Sequence, residues 1–346
     1  MARRQTTSKD VAELAGVSRT TVSFVLNDVP GVKITNETRK RVLQAARELD
    51  YYPTAAARTL ASGKTQRIGL ILGEGHERLA ADAFLPSFLQ GITSSLHRRN
   101  YLLVLQLAED VPSHEAYVRL IREQQVDGLI LSGARSDDPL LKELADDQFP
   151  LILHGQPEGC DLPAVDVDNR AGGYQATTHL IGLGHRRIGF ISNAPLSYAG
   201  ARDRFAGYCQ ALGEHAIVLD DDLVQTAVFM PDSAQVAMKA MLELAERPTA
   251  VFAASDVVAV GAMSAIQGAG LRIPEDIAVV GFDDIFLAAY LQPPLTTVRV
   301  PAYGLGWTAA EVLINLLEGE EGISHVTLET ELVVRASCGA RSQPPA

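Results

Sequence analysis

The sequence predicts a small helical domain followed by a larger α/β core with doubly wound parallel sheets. Through residue 52, short amphipathic segments begin at Ser or Thr, as helices with N-caps do. From Arg67 onward, continuous apolar runs such as "RIGLILG", "VDGLILSG" and "IAVVGFDD" alternate with amphipathic stretches. This alternation is typical of repeated βαβ units whose parallel strands are buried on both faces. The 346 residues, 47% of them hydrophobic, suffice for two or three domains with cores.

The charge is divided between these two parts. The formal net charge is -12, yet residues 1–67 hold 12 basic and 6 acidic residues. A phosphate backbone would attract this basic segment and repel the acidic remainder. The segment could be a solvated tail, but its regular apolar pattern and its helix caps favour a folded domain that binds nucleic acid.

Several other classes of protein are not indicated. No apolar run approaches the roughly 20 residues of a membrane span, and none follows the basic start "MARRQTTSKD", so we expect a cytosolic protein without a signal peptide. The three cysteines form no CxxC pair and the eight histidines no HExxH frame, so no disulfide and no metal site is predicted. Dinucleotide, P-loop and nucleophile-elbow motifs are absent from the sequence, so we expect no cofactor and no enzymatic activity.

The first two helices have the pattern of a helix-turn-helix. Thr7 with Asp10 resembles a capping box, Gly16 ends the first helix, and Ser18 can cap the second after a tight turn. Thr35 can cap a third helix. The expected packing stripes are Val11, Leu14 and Ala15, then Val22, Val25 and Leu26, then Val42, Ala45, Ala46 and Leu49.

The second helix keeps a largely polar face outside its packing stripe. Arg19, Thr20 and Phe24 are the candidates to read bases, since Arg pairs with guanine and Thr or Phe contacts a thymine methyl. The predicted contacts to phosphates are Thr7, Ser18, Thr21, Ser23 and Asn27. A lone exposed phenylalanine can be an incidental surface group, but the polar neighbours of Phe24 favour contact with DNA.

The segment "YYPTAAARTLASGK" joins the two parts of the chain. Its alanines favour a helix capped by Thr54 and ended by Gly63, although about eight residues do not hold a helix alone in water. From the residues alone, two alternatives stay open: a hinge that orders on binding, or a plain linker whose Leu60 packs on its own core.

Long motifs identify the chain as similar to the LacI/GalR family of bacterial transcription regulators. They include "TSKDVAELAGVSRTTVSFVLN", "DVDNRAGGYQATTHLIGLGHRRIGFI" and "IPEDIAVVGFDDI", in family order. The resemblance implies that the base-reading positions are Arg19, Thr20 and Phe24, where the family's best-known pattern has an arginine in place of Phe24. It also implies paired hinge helices over the minor groove, with Ala57, Arg58 and Leu60 at the DNA and Leu60 wedged between base pairs.

The resemblance further implies a core like that of periplasmic sugar-binding proteins, with a ligand cleft between two lobes. Ligands of such sheets lie beyond the carboxyl ends of the strands. Asp283 directly follows a strand and can accept two sugar hydroxyls, and Arg204 matches the family's pocket arginine, although both could form a structural ion pair instead. The other predicted cleft residues are His154, Phe229, Ser255 and Asp256, with Ser255 where well-studied relatives have asparagine.

The predicted boundaries follow from these motifs. They are a helix-turn-helix domain at 1–52, a hinge at 53–66, a core at 67–340 and a tail at 341–346. Within the core, the N-lobe is expected at 67–164 and 296–322, and the C-lobe at 165–292 and 323–340.

The expected function is that of a cytoplasmic homodimeric repressor at the nucleoid that binds a pseudo-palindromic operator. A small effector, expected to be a carbohydrate or sugar derivative, would shift the hinge helices between order and disorder. Three alternatives remain: a purine-responsive regulator, a periplasmic-type solute-binding protein, which needs export, and a sugar-metabolising enzyme, which needs a nucleophile, metal or cofactor motif.

Overall fold

The protein consists of a helical N-terminal region and two stacked α/β lobes. The computed structural model describes residues 6–27, 31–73, 82–107, 113–138, 140–147, 149–320 and 325–340, so the predicted tail at 341–346 lies outside the described residues. The N-terminal helices are α1 (Ser8–Ala15), α2 (Arg19–Leu26), α3 (Asn36–Glu48) and α4 (Ala55–Ser62). Among the described residues, no helix is both long and apolar enough to cross a membrane.

Helices α1 to α3 enclose a small apolar core. The capping box of Thr7 and Asp10 and the N-caps of α2 and α3 are confirmed. One predicted packing residue is wrong, since Leu14 is 52% exposed and Ala12 is buried instead. The buried face of α1 is centred between Val11 and Ala12, which leaves Leu14 about 100° away from it. The buried residues are Val11, Ala12, Ala15, Val22, Val25, Val42, Ala45 and Ala46.

The first lobe contains a six-stranded, fully parallel sheet in the order β11-β5-β4-β3-β1-β2. Its strands are β1 (Arg67–Leu72), β2 (Leu102–Leu107), β3 (Gly128–Ser132), β4 (Leu151–His154), β5 (Ala164–Val167) and β11 (His325–Leu328). Its helices are α5 (Leu85–Arg98), α6 (Ser113–Arg122), α7 (Leu140–Asp147) and α12 (Ala302–Leu317).

The second lobe contains another six-stranded sheet, in the order β12-β10-β9-β8-β6-β7, in which β12 runs antiparallel to β10. Its strands are β6 (Ile188–Ser192), β7 (Val224–Thr226), β8 (Ala250–Ala253), β9 (Ala278–Asp283), β10 (Thr296–Arg299) and β12 (Glu331–Val333). Its α-helices are α8 (Asn169–Gly182), α9 (Ala199–Glu214), α10 (Pro231–Leu242) and α11 (Asp256–Gly268). Two 3₁₀ turns cover Asp221–Leu223 and Phe286–Tyr290.

The chain crosses between the lobes three times, and the crossings lie later than the predicted boundaries. Strand β10 pairs with β9 in the second sheet, so the prediction that the first lobe resumes at 296 is wrong. Strand β11 pairs with β5 in the first sheet, so the prediction that the second lobe resumes at 323 is wrong. Both strands have only four residues. The lobe to which each belongs is decided by the strand it pairs with, and the local sequence does not encode that pairing.

Candidate nucleic-acid interface and ligand cleft

The three predicted base-reading residues lie together at the exposed side of α2. Arg19 and Thr20 occupy its first turn and are exposed, while Phe24, one turn later, is half-buried rather than fully outward. Phe24 shares a groove with Arg19 and Thr20, and residues of α4, including Ala57 and Leu60, line the same groove. The recognition helix and the hinge helix therefore border one surface.

The predicted phosphate-binding side chains already hold the ends of the helices. Thr7 Oγ1 donates to the Asp10 carboxylate at 2.7 Å, and Ser18 Oγ accepts from the Thr21 backbone N–H at 3.1 Å. Asn27 departs from the prediction of an outward contact, because its amide donates back to the Ser23 carbonyl at 2.9 Å and it is half-buried. Asn27 thus fastens the end of α2 in this structure.

The hinge segment forms the helix that its caps predict. Thr54 Oγ1 accepts from the Ala57 N–H at 3.2 Å, and Gly63 ends α4 with a left-handed φ of 71° while its N–H donates to the Thr59 carbonyl at 2.8 Å. Leu60 is 91% exposed, so the alternative in which Leu60 packs on the protein's own core is wrong for this structure. An exposed leucine on a short helix is available to a partner surface.

The hinge is tied to the first lobe by a carboxylate that the sequence did not single out. Asp127, just before β3, accepts from the Thr65 N–H at 2.6 Å and the Thr65 hydroxyl at 2.8 Å through Oδ1. Its Oδ2 accepts from the Gln66 N–H at 2.8 Å. Because Thr65 and Gln66 connect α4 to β1, a displacement of this edge of the lobe reaches the end of the hinge helix directly.

A cleft lies where the carboxyl ends of strands from both sheets meet. This is the position at which open parallel sheets bind their ligands. The structure brings together five of the six predicted cleft residues here, namely His154, Arg204, Phe229, Ser255 and Asp283. Further lining residues are Asp82, Phe84, Asp166, Val167, Asn193, Val257, Val300 and Leu305.

Arg204 is held in the cleft wall by several contacts at once. Its Nε donates to Asn169 Oδ1 at 2.8 Å, its Nη1 donates to the Ala254 carbonyl at 2.6 Å, and its guanidinium lies 3.8 Å from the centre of the Phe282 ring. The Asp283 carboxylate is 3.9 Å away. Burial lowers the pKa of Arg204, while the nearby carboxylates of Asp283 and Asp166 act in the opposite direction.

Asp283 has a backbone conformation that residues other than glycine rarely adopt. Its φ is 113°, and that of Asp284 is 55°. The neighbouring Asp284 carboxylate accepts from Arg335 at 2.6 Å and from Arg299 at 2.8 Å, which fixes the loop after β9. The paired Asp284 and the strained turn together present Asp283 to the cleft.

Aromatic rings form two walls of the cleft. His154 Nδ1 is 2.8 Å from Ser132 Oγ, and its ring stacks on Phe88 at 4.6 Å and on Phe84 at 5.6 Å. Phe229, at a positive φ of 52°, meets the ring of Tyr198 edge-on at 5.5 Å. Flat rings of this kind can pack on the apolar faces of a ring-shaped ligand.

Sequence reasoning missed three polar residues of this site, which are Asp82, Asp166 and Asn193. Asp166 Oδ1 accepts from the Val167 N–H at 2.7 Å and from Asn169 Nδ2 at 3.0 Å, and burial raises the pKa of Asp166 to about 6. Asn193 Oδ1 is buried and has no hydrogen-bond partner among the described residues. Asn193 follows β6, so the rule that selected Asp283 could have found it. Asp166 lies in the four-residue β5, which the apolar pattern did not identify as a strand.

Asp256 is a predicted cleft residue that the structure places elsewhere. It is fully buried, its Oδ1 accepts from Thr297 Oγ1 at 2.6 Å, and its Oδ2 accepts from the Ile285 N–H at 2.8 Å. Burial, and then the negative charge of Asp283, raise the pKa of Asp256 well above its usual range. Asp256 therefore supports the loop after β9 from the side away from the cleft. Its sequence neighbour Ser255 caps α11 at the cleft surface.

The two lobes also touch across the mouth of the cleft. The Ser136 N–H, in the loop after β3, donates to the Ser197 carbonyl, in the loop after β6, at 3.0 Å. Arg135 forms an isolated antiparallel bridge with Tyr198 in the same place. These backbone contacts join loops of different sheets, so they depend on the angle between the lobes.

Comparisons with known proteins agree with this architecture. Residues 7–54 match the bacterial regulatory proteins of the lacI family, and residues 177–338 match the periplasmic binding protein-like domain. The transcriptional regulator CelR of Thermobifida fusca is 37% identical over 340 residues, covering 97% of this chain and 99% of CelR. The transcriptional repressor PurR of Aliivibrio salmonicida (strain LFI1238) is 35% identical over 337 residues, covering 96% of this chain and 98% of PurR.

Solved structures show the same similarity. A Lac repressor dimer bound to operator and the anti-inducer ONPF aligns with a TM-score of 0.85 at 30% identity, over 97% of this chain and 100% of that one. A CelR–cellobiose complex aligns with a TM-score of 0.75 at 35% identity, over 96% of this chain and 100% of that one. With its helix-turn-helix region, its capped hinge helix and its two-lobed cleft, the chain belongs to the LacI family of bacterial regulatory proteins and is a DNA-binding transcriptional regulator.

Proposed function

We propose that this regulator represses transcription as a homodimer on a pseudo-palindromic operator, and that a small carbohydrate in the cleft switches its operator affinity. The observation that carries the proposal is the lining of the cleft. It combines acceptors for hydroxyl groups, on Asp166, Asn193 and Asp283, with the rings of Phe84 and Phe229. Carbohydrates offer both hydroxyl donors and apolar ring faces, so one ligand class satisfies both kinds of group.

Two relatives support the individual parts of the proposal. CelR has been solved with cellobiose, and the Lac repressor dimer has been solved on its operator. In a symmetric dimer, the two α2 helices would enter successive major-groove half-sites, with Arg19, Thr20 and Phe24 at the base edges. Leu60, from each α4, would enter the minor groove between the half-sites, where an apolar wedge can kink the duplex.

The proposed switch acts on the ordering of the hinge. Helix α4 has eight residues, which is too short for stability in isolation. A ligand that changes the angle between the lobes would move Asp127, and with it Thr65 and Gln66, so that the paired hinge helices become easier or harder to form. A binding equilibrium therefore suffices, and the proposal includes no catalytic step. Since its target is chromosomal DNA, the protein would act in the bacterial cytoplasm, at the nucleoid.

Calorimetry with the full-length protein tests the effector class. A panel of neutral sugars that includes cellobiose is compared with a panel of purine bases. We expect a sugar to bind, and Asp283→Ala to remove that binding, whereas Asp222→Ala, which removes an exposed carboxylate outside the cleft, leaves it unchanged. Binding of purines alone would overturn the proposal of a carbohydrate effector.

A gel mobility shift at two salt concentrations tests the DNA-binding part. Operator-specific binding that weakens steeply with salt is expected of a protein that neutralises several phosphates. Equal affinity for operator and for unrelated DNA of the same length would contradict a sequence-specific regulator.

A further inference from the structure

The polar groups around the cleft are mostly hydrogen-bond acceptors. Three carboxylates, from Asp82, Asp166 and Asp283, line it together with the carboxamide of Asn193. Asp166 Oδ1 and Asp82 Oδ1 each accept from backbone N–H groups next to them, which fixes both carboxylates within the wall. A ligand that enters this cleft therefore meets mainly negative charge and oxygen lone pairs.

The positive charge in the cleft is already engaged by the protein. Arg204 is the sole arginine or lysine among the described lining residues, and two of its N–H groups bind Asn169 and the Ala254 carbonyl. The same guanidinium lies 3.9 Å from the Asp283 carboxylate. The imidazole of His154 lies between Ser132 and the phenylalanine rings. An anionic ligand would have to compete with Asp283 for Arg204 while approaching two further carboxylates.

Asn193 points to the kind of group that the ligand supplies. Its Oδ1 is shielded from solvent and has no hydrogen-bond partner among the described residues, which leaves a buried acceptor unsatisfied. Such an atom is costly to bury without a donor. A hydroxyl group of a bound ligand can provide that donor, whereas an ionised phosphate or carboxylate oxygen cannot.

We propose that the cleft selects an uncharged, polyhydroxylated sugar and rejects its phosphorylated or acidic form, with Asn193, Asp166 and Asp283 as the groups that select. This inference rests on the proposed carbohydrate effector and adds the charge state of the ligand. Ligand hydroxyls donate to these acceptors, and the excess of carboxylates over guanidinium repels a ligand that brings its own negative charge.

Matched pairs of ligands test this selection by calorimetry with the full-length protein. The probes are cellobiose with cellobiose 6′-phosphate, and glucose with glucose 6-phosphate, at one pH and one salt concentration. We expect a neutral sugar to bind and its phosphate to bind at least 100-fold more weakly, which corresponds to about 2.8 kcal/mol. A phosphorylated sugar that binds as tightly as its neutral partner overturns this inference and leaves the carbohydrate effector standing. Binding of purine bases, with no response to any sugar of either kind, overturns both.

Variants separate charge from shape. Asp166→Asn keeps the size of the side chain and removes one negative charge, so the preference for the neutral sugar should shrink about tenfold. Asn193→Ala should weaken the neutral sugar at least tenfold because it removes the unsatisfied acceptor. Asp222→Asn is the control for a change of charge outside the cleft and should alter neither affinity. An unchanged preference in Asp166→Asn, or an unchanged affinity in Asn193→Ala, contradicts the assignment of that residue.

Discussion

The N-cap of the hinge helix offers a quantitative test of folding on operator binding. Thr54→Ala removes the hydroxyl that accepts from the Ala57 N–H at 3.2 Å, while it leaves the surfaces of α2 and of the core intact. Loss of such a cap destabilises a helix by about 1 kcal/mol. In a dimer that orders two hinge helices on one operator, the total is about 2 kcal/mol, which corresponds to an operator affinity about 30-fold lower.

The assay is fluorescence anisotropy with a labelled operator duplex at constant salt, since salt alone changes such affinities. Thr54→Ser, which keeps the capping hydroxyl, is the matched control and should bind like the original protein. Effector affinity and the thermal unfolding of the core should not change in Thr54→Ala, because α4 contributes little to the core. Operator binding by Thr54→Ala within twofold of the original protein would refute the reasoning that hinge ordering contributes to affinity.

Phe24, Asp127 and Asp166 each offer a further test. Phe24→Arg should change the preferred base at one operator position, read by selection from a random duplex pool. Asp127→Ala should lower operator affinity at least about tenfold, since it removes the acceptor of three hydrogen bonds from Thr65 and Gln66, each worth about 0.5–1.5 kcal/mol. Effector affinity, measured by calorimetry across pH 5–8, should fall as the pH drops below about 6, because protonation of Asp166 replaces a hydroxyl acceptor with a donor.

Each of the predictions for Phe24, Asp127 and Asp166 has a result that would contradict it. An unchanged operator consensus for Phe24→Arg would reduce Phe24 to an incidental surface residue. Full operator affinity and full effector response in Asp127→Ala would show that the hinge is coupled to the core elsewhere. If the pH dependence below 6 persists in Asp166→Asn, a group other than Asp166 titrates, and the assignment to Asp166 is wrong.

Local interactions made the N-terminal helical region predictable. Caps and helix ends depend on residues three or four positions apart, so Thr7, Ser18, Thr35 and Thr54 could be assigned from the sequence and are confirmed. The exposure of Leu60 could not be assigned in this way, because it depends on whether a core lies near α4. The predicted lobe is wrong for β10 and for β11 for the same reason, because strand pairing is non-local.

The cleft was only partly predictable. Asp283 and His154 come at the ends of strong apolar runs that predict strands. Because ligands of such sheets bind beyond the carboxyl ends of strands, both residues could be predicted as cleft residues. Asp166 interrupts the apolar residues of β5, so no continuous apolar run marks that strand, and the raised pKa of Asp166 arises from burial that only the folded chain creates. Asp256 and Ser255 are sequence neighbours, but the start of α11 turns one to the cleft and the other into the core. Tertiary placement thus decides which of two adjacent polar residues can meet a ligand.

The proposed regulator couples occupation of the cleft to operator binding through the hinge. The most direct measurement is operator affinity by anisotropy, with and without saturating concentrations of the sugar that binds in calorimetry, with cellobiose as the first probe. We predict a change of at least tenfold in operator affinity, and, by linkage, an equal change in sugar affinity when operator is bound. Operator affinity that is the same with and without a sugar that fills the cleft would contradict this coupling.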